Sequence, residues 1–182
     1  MLFSWAIPAY AAGEICQVQY DVTYGQTEAR TMLAMINDFR TGGDAWYWDE
    51  SDTNKTSVTG LQPLTYDYEL EKVAMQRAAE IAINFAHDRP DGTECWTAYH
   101  DVGIYCENGE NIAAGSASAQ SAFELWQETN EKYAGQGHRR NMLSSSSQTF
   151  AVGHVVYNGV HFWVQEFGTS LVGEPRPRPM TM

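Results

Sequence analysis

Gly137-His138-Arg139-Arg140-Asn141-Met142-Leu143 carries more information about the fold than any other part of this sequence, because it combines with two upstream segments. These are 87–92 (HDRPDG) and 109–115 (GENIAAG). Each segment places a histidine or a carboxylate beside glycine or proline, where an element ends and a side chain can face a cleft. One such signal is weak, since a single histidine near a helix end is more often structural. Three in this order, followed by 162–168 (FWVQEFG), form a specific pattern.

The four segments together resemble the CAP superfamily, also called SCP-like, which contains cysteine-rich secretory proteins, antigen 5 and plant pathogenesis-related proteins. Bacterial secreted members are the most similar, and the resemblance covers roughly 27–168. It implies an α+β fold, a three-layer α-β-α sandwich with helices on both sides of a largely antiparallel sheet. It also implies a secreted, extracellular protein.

The charge of the chain argues against several classes of partner. With 11 basic and 23 acidic residues, the formal net charge is −12 and the sequence pI is about 4.7. An acidic surface repels phosphate backbones, so nucleic acid is not an expected partner, and acidic membrane surfaces are disfavoured for the same reason. Divalent cations are compatible with this charge. No segment approaches the roughly twenty apolar residues of a membrane-spanning helix.

The sequence predicts one domain with short extensions. Residues 1–26 form an N-terminal arm, 27–170 the CAP (SCP-like) domain and 171–182 a tail rich in proline and arginine. The arm begins with an apolar stretch that contains Ala9-x-Ala11, the small-residue pattern of a signal-peptidase site. A signal-peptide remnant and an apolar arm that packs on the domain are equally compatible with it.

Periodicity predicts three helices and a terminal hairpin. Thr27 and Asp67 are suitable N-caps for the first two helices, and Gly42-Gly43 ends the first. The third helix is predicted from Ser118 to about Lys132. Two β-branched and aromatic runs, 150–157 and 160–167, flank Asn-Gly, which favours a type I′ turn. Helices followed by a hairpin indicate α+β rather than alternating α/β.

The resemblance implies a cleft lined by two histidines and two acids. His87, Glu110 and His138 match the family's motifs for the first histidine, the first acid and the second histidine. The second acid usually follows a tryptophan in a Trp-x-x-Glu arrangement, but here that position is Thr129. Either of two nearby acids, Glu128 and Glu131, is a candidate for the cleft.

Two neutral imidazoles beside carboxylates make a candidate divalent-metal site, with His87 and His138 as ligands and zinc as the expected ion. The alternative is a hydrogen-bonded network of histidine and glutamate that joins helix ends and loops. For Glu110 the two hypotheses have equal weight. The sequence lacks His-Glu-x-x-His or a comparable compact motif.

Cysteine spacing leaves two alternatives open. Cys95 and Cys106 flank a ten-residue loop, 96–105, which a disulfide closes without strain, but two buried thiols are also compatible with the spacing. The secreted-family resemblance favours the disulfide, and Cys16 then has no assigned partner.

These observations favour a secreted binding module whose cleft takes a divalent cation. Its expected partner is an extracellular or cell-envelope ligand, a peptide, lipid or glycan. The alternative is a metal-assisted hydrolase that acts on peptides or cell-envelope material. The binding role is preferred, because no pair of nucleophile and base is recognisable in the sequence. No catalytic residue is therefore assigned.

Overall fold

The structure is a computed structural model that describes residues 3–11 and 14–171, with side chains from Gln19 onward. The predicted Pro/Arg-rich tail, from residue 172, lies outside this part of the chain, and so does the side chain of Cys16.

Helices occur at both predicted and unpredicted positions. They are α1 Gln26–Ala29, α2 Met32–Thr41, α3 Tyr68–Ile83, α4 Thr97–Asp101, α5 Ala119–Gln127, a 3₁₀ turn at Tyr133–Gly135 and α6 Gly137–Met142. The predicted cap of the second long helix is confirmed: the Asp67 carboxylate accepts hydrogen bonds from the backbone N–H groups of Glu69 and Leu70. The first predicted helix is divided into α1 and α2, and Gly25 rather than Thr27 precedes it.

Eight strands lie in the described residues. They are β1 Phe3–Ala11, β2 Glu14–Tyr24, β3 Trp46–Trp48, β4 Lys55–Ser57, β5 Thr65–Tyr66, β6 Glu107–Ala114, β7 Thr149–Tyr157 and β8 Val160–Gly168. The main sheet has the order β1-β2-β7-β8-β6, with antiparallel neighbours, and β5 adds a short parallel pairing to β7. The predicted β7–β8 hairpin is confirmed, and Asn158 and Gly159 both have the positive φ of a type I′ turn.

Alternate side chains of the strands pack against helices on opposite sides of the sheet, which confirms the predicted three-layer sandwich. On β7, Phe150 and Val152 belong to the cluster that contains side chains of α2, α5 and α6. Ala151 and Val155 lie on the opposite face, in clusters with α3 side chains. Successive side chains of a strand point to opposite faces, so the sheet is covered by α3 on one side and by α2, α5 and α6 on the other.

The α3 helix lies very close to the sheet at Gly153. A Cβ atom added there would lie 2.0 Å from the carbonyl oxygen of Ala74 in α3. The contact is between backbones, so neither side can yield by rotating a side chain. Gly153 therefore sets the distance between α3 and the middle of the sheet.

Replacing Gly153 with alanine is expected to lower the free energy of unfolding by at least about 2 kcal/mol, because the added methyl group forces α3 away from β7. Denaturant unfolding of the variant measures this. Gly137→Ala is the matched control: its Cβ meets nothing within 4 Å, so a change within about 0.5 kcal/mol is expected. Equal stabilities for the two variants would contradict the close contact.

Candidate functional site: a cleft at the edge of the sheet

A cleft of about 450 Å³ runs along β6, the last strand of the sheet on that side. Its lining includes four of the five predicted site residues, His87, Glu110, Glu128 and His138. The fifth, Glu131, lines an adjoining groove and is not part of this cleft. The structure thus brings together side chains that come from three separate parts of the sequence.

The edge position of β6 explains how these parts meet. A strand at the edge of a sheet leaves backbone groups without a ladder partner, and other groups must satisfy them. Asn141 of α6 donates a hydrogen bond to the carbonyl of Glu110, and the Trp126 indole of α5 donates to that of Ile112. Asn111 in turn donates to the carbonyl of His138. These bonds fix α5 and α6 against the strand that carries Glu110.

His87 and Glu110 form the first histidine–acid pair. Nδ1 of His87 lies 2.8 Å from Oε1 of Glu110. The Glu110 side chain is buried, whereas that of His87 is 56% exposed. Burial by itself raises the pKa of Glu110, but hydrogen bonds from His87 and Arg77 outweigh it and hold the pKa below its ordinary value. Glu110 is therefore a carboxylate that orients an accessible imidazole.

Arg77 of α3 holds Glu110 from its other side. Its fully buried guanidinium donates to both oxygens of Glu110, at 2.6 and 3.2 Å, and to Glu80 at 2.7 Å. It also donates to the carbonyls of Ala86 and His87. The same side chain thus fixes both the carboxylate and the backbone of the histidine.

His138 and Glu128 form the second pair. Nδ1 of His138 lies 2.5 Å from Oε1 of Glu128, and the other Glu128 oxygen accepts the backbone N–H of Arg139 at 3.1 Å. Glu128 is mostly buried, while the His138 side chain is 34% exposed. The two pairs have the same design, an accessible imidazole whose Nδ1 is bonded to a shielded carboxylate.

The conformation of Glu128 corrects the predicted third helix. The helix ends at Gln127 rather than near Lys132, because Glu128 adopts a left-handed conformation with φ of 45°. Glu128 and Glu131 therefore do not share a helix face, and it is Glu128 that contacts His138. A non-glycine residue with positive φ is uncommon, so this turn gave no signal in the sequence.

Each imidazole has one ring nitrogen that the carboxylate does not use. With Nδ1 bonded to Glu110 or Glu128, Nε2 is the nitrogen that remains for a metal ion or ligand. This matches the arrangement in which a carboxylate orients a metal-binding histidine. Among the side chains described from residue 19 to residue 171, no group of three or more His, Cys, Asp or Glu has an arrangement that could hold a metal. The cleft therefore offers two imidazoles rather than a complete coordination shell.

Glu166 of β8 is a buried group that sequence analysis missed. It pairs with Glu110 across the β6–β8 ladder, and its Oε2 accepts the Tyr99 hydroxyl at 2.7 Å. Burial and the negative charge of Glu110 raise the pKa of Glu166 well above its ordinary value. The two neighbouring carboxyls therefore differ in protonation: Glu110 is a charged carboxylate, and Glu166 carries a proton.

The predicted disulfide between Cys95 and Cys106 is wrong: the structure does not join these two thiols. The intervening residues are folded into α4, and Cys106 is buried in a core cluster with Ala98 and Tyr99. Cys95 is only half-buried and lines a cavity. Burial, followed by the negative charge of Glu110, raises the pKa of Cys95 to about 12, so this thiol is not an activated nucleophile.

The sequence matches the model of the cysteine-rich secretory protein family, CAP, over residues 33–167. The chain belongs to the CAP family. No curated protein matches the sequence. The chain has the predicted α+β sandwich of a CAP domain, and members of this family are typically secreted. Within the described residues, no helix is both long and apolar enough to span a membrane.

Solved structures of CAP-type proteins are similar to this one. An extracellular protein containing an SCP domain from Bacillus anthracis is 26% identical, with a TM-score of 0.51 over 60% of this chain and 35% of its own. The chain thus spans about a third of that protein. An outer surface protein of Borrelia burgdorferi is 16% identical, with a TM-score of 0.57 over 81% of this chain and 96% of its own. NaASP2, crystallised with Zn²⁺, is 18% identical, with a TM-score of 0.57 over 80% of this chain and 81% of its own.

Glu166→Gln is expected to stabilise the CAP domain at pH 7, by on the order of 1–3 kcal/mol. Because the folded-state pKa of Glu166 is raised, its contribution to stability is lost as pH rises above the unfolded value near 4.3. Glutamine keeps an acceptor for Tyr99 and does not titrate. Unfolding measured at pH 4 and pH 7 should show nearly equal stabilities at pH 4 and a gain for the variant at pH 7.

The exposed Glu124 provides the control, because Glu124→Gln removes a carboxyl from the surface and should show no such gain. A Glu166→Gln variant that is less stable than the parent at pH 7 would contradict a protonated Glu166.

Proposed function

We propose that this CAP domain is a secreted interaction module that holds a divalent metal ion between His87 and His138, with zinc as the preferred ion. One observation carries the proposal: in a single cleft, two accessible imidazoles each have Nδ1 bonded to a shielded carboxylate. A carboxylate acceptor fixes the tautomer with Nδ1–H, so Nε2 carries the lone pair that a metal requires. Glu110 and Glu128 are then orienting groups rather than ligands.

Two protein ligands leave most of the coordination shell of zinc to water or to a partner, since zinc in proteins is usually four-coordinate. This favours a binding role: an extracellular or cell-envelope partner, a peptide, lipid or glycan, supplies a donor group to the ion. A groove of about 740 Å³ adjoins the cleft and shares Glu128, Gly135 and His138 with it. Its exposed apolar side chains, Phe85 and Leu125, provide a surface for the rest of such a partner. NaASP2, a structural neighbour, was crystallised with Zn²⁺.

Zinc titration by calorimetry tests the site. His87→Ala and His138→Ala should each weaken binding at least about tenfold, and Glu128→Gln should weaken it about 10- to 100-fold through loss of orientation. Affinity should be weaker in acidic than in neutral solution, because protons compete with the metal ion for the imidazole lone pair.

His100→Ala is the matched control, because His100 pairs with Glu107 and does not line the cleft. Its zinc affinity should equal that of the parent chain. Equal affinity in the parent, His87→Ala and His138→Ala would reject the site.

The alternative function is a metal-assisted hydrolase that acts on peptides or cell-envelope material. Hydrolysis needs a nucleophile, a base and a group that stabilises the developing negative charge, all within hydrogen-bond reach of the substrate. Arg140 lines the cleft, but it donates to the carbonyl of Tyr133 and its guanidinium lies 4.0 Å from the Tyr133 ring centroid. The geometry therefore favours binding over turnover.

We expect no hydrolysis of casein, peptidoglycan or ester substrates with added zinc or calcium. A His87→Ala/His138→Ala double variant is assayed beside the parent chain. Turnover by the parent that disappears in the double variant would establish the hydrolase instead. Turnover that survives in the double variant would also contradict the prediction and place the activity outside this cleft.

A further inference from the structure

The groove beside the metal cleft is open along the outer edge of β6. Its floor is formed by Ile112, Ala113 and Ala114 of that strand. One wall contains Leu125 of α5, and the other contains Phe85, which follows α3, so the walls come from opposite helical layers. Within the described residues β6 pairs with β8 alone. Its other edge therefore faces the space between the two layers.

The backbone groups of β6 point alternately towards β8 and towards this groove. Gly115, directly after the strand, donates to the carbonyl of His161 in β8 at 2.8 Å. In an antiparallel ladder such bonded positions recur at every second residue, so Ile112 and Ala114 direct their N–H and C=O groups away from β8. The Trp126 indole agrees with this, because it donates to the Ile112 carbonyl from outside the ladder, at 3.0 Å.

Three backbone groups at this edge have no hydrogen-bond partner among the described residues. They are the N–H of Ile112 and both the N–H and the C=O of Ala114, and Ala114 is exposed. Edge groups of this kind are a template for a further strand. An extended peptide backbone offers an acceptor and a donor at the matching spacing, as in strand addition to a sheet edge. The floor of the groove thus favours a peptide over a lipid or a glycan.

The side chains of the groove select apolar and basic residues. Phe85 and Leu125 are 53% and 55% exposed and offer apolar contacts on the two walls. Two exposed acids, Glu124 and Glu131, lie on the Leu125 side, in α5 and in the turn after it, and no described residue of the lining is a lysine or arginine. Successive side chains of a strand point to opposite faces. Two adjacent apolar residues would therefore meet the two walls, and a basic residue two positions from the first would meet the acids.

We propose that an extended peptide segment of a partner adds as a strand to the outer edge of β6 and bonds to the backbone of Ala114. Adjacent apolar residues of the segment contact Leu125 and Phe85. A lysine or arginine of the segment lies beside Glu124 and Glu131. This inference rests on the proposed interaction role and names its partner, but it does not require the metal ion.

Calorimetric titration with the peptide acetyl-Ser-Thr-Leu-Val-Lys-Thr-Ser amide tests the proposal. Two further versions each carry one N-methyl group, on the leucine or on the valine. Backbone N–H groups of successive residues point in opposite directions. One methyl group therefore faces β6 and should abolish binding, whereas the other faces away and should change the affinity by less than about threefold. A version with glutamate in place of lysine should bind at least about threefold more weakly at low salt.

Variants of the chain test the walls and the floor with the unmodified peptide. Phe85→Ala and Leu125→Ala should each weaken binding about fivefold, because each removes an apolar contact. Ala114→Pro should abolish binding, since proline has no N–H to donate. Val102→Ala is the matched control: Val102 is 46% exposed but does not line the groove, so its variant should bind like the parent chain. If Ala114→Pro does not fold, the two N-methyl peptides decide the same point with the parent chain.

The His87→Ala variant separates this site from the metal site, because His87 lines the metal cleft but not the groove. It should bind the peptide with the affinity of the parent chain, and so should the parent chain in EDTA. Zinc binding without peptide binding would overturn this inference alone. Peptide binding without zinc binding would overturn the metal site alone.

The same affinity for the two N-methyl peptides, or no binding of the unmodified peptide at millimolar concentration, would overturn strand addition. Binding of chitotriose or of phosphatidylcholine vesicles that Phe85→Ala weakens would assign the groove to a glycan or a lipid instead. A dimer of the parent chain in light scattering that Ala114→Pro dissociates would assign the edge of β6 to a second copy.

Discussion

The buried guanidinium of Arg77 is the interaction on which the geometry of the cleft depends. An isolated charge in the interior of a protein is too costly to persist, so Arg77 must be surrounded by acceptors. Its partners are the carboxylates of Glu80 and Glu110 and the carbonyls of Ala86 and His87. Because these groups come from α3, from the segment after it and from β6, one side chain fixes the positions of all three. Removing Arg77 would leave the buried Glu110 carboxylate without its arginine, whereas Glu80 would keep Arg89.

The same network continues away from the cleft and stabilises the loop after α3. Arg89 donates to both oxygens of Glu80 and also to Asp101 at the end of α4. Glu80 is thus shared by two arginines, which balances its charge in a buried setting. The segment that carries His87 is therefore held at both ends. At one end Arg77 donates hydrogen bonds to its backbone, and at the other end Arg89 donates to Glu80 of α3. This explains how a half-exposed histidine can have a defined position without being packed in the core.

Several features of the site were predictable from sequence because they lie where elements end. His87 follows α3, His138 lies at the start of α6, and Glu110 belongs to a glycine-flanked motif. The buried network was not predicted, although a signal was present. Arg77 lies between Val73 and Ala78 on the apolar stripe of α3, and a polar residue on such a stripe must be paired inside the protein.

Other features depend on tertiary contacts that no local pattern contains. Glu128 contacts His138 only because its backbone is left-handed, a conformation that most sequences avoid at a non-glycine residue. Glu166 lies on the same face of β8 as the buried Val164, but its partner Tyr99 comes from α4, which periodicity did not predict. The disulfide was expected from a short spacing together with the secreted-family resemblance, yet residues Thr97–Asp101 between the two cysteines fold into a helix.

Glu110 and Asn111 are neighbours on the edge strand β6, and their side chains contact different helical layers. Successive side chains of β6 point to opposite faces, so Glu110 reaches Arg77 in the α3 layer while Asn111 reaches the carbonyl of His138 in the α6 layer. One dipeptide therefore joins both helical layers, and each layer contributes one histidine to the cleft. A slip of β6 by one residue would exchange the two faces, burying the amide against Arg77 and removing the acceptor of His87. The cleft is thus coupled to strand register, which explains why its motif is a short run of fixed spacing rather than scattered single residues.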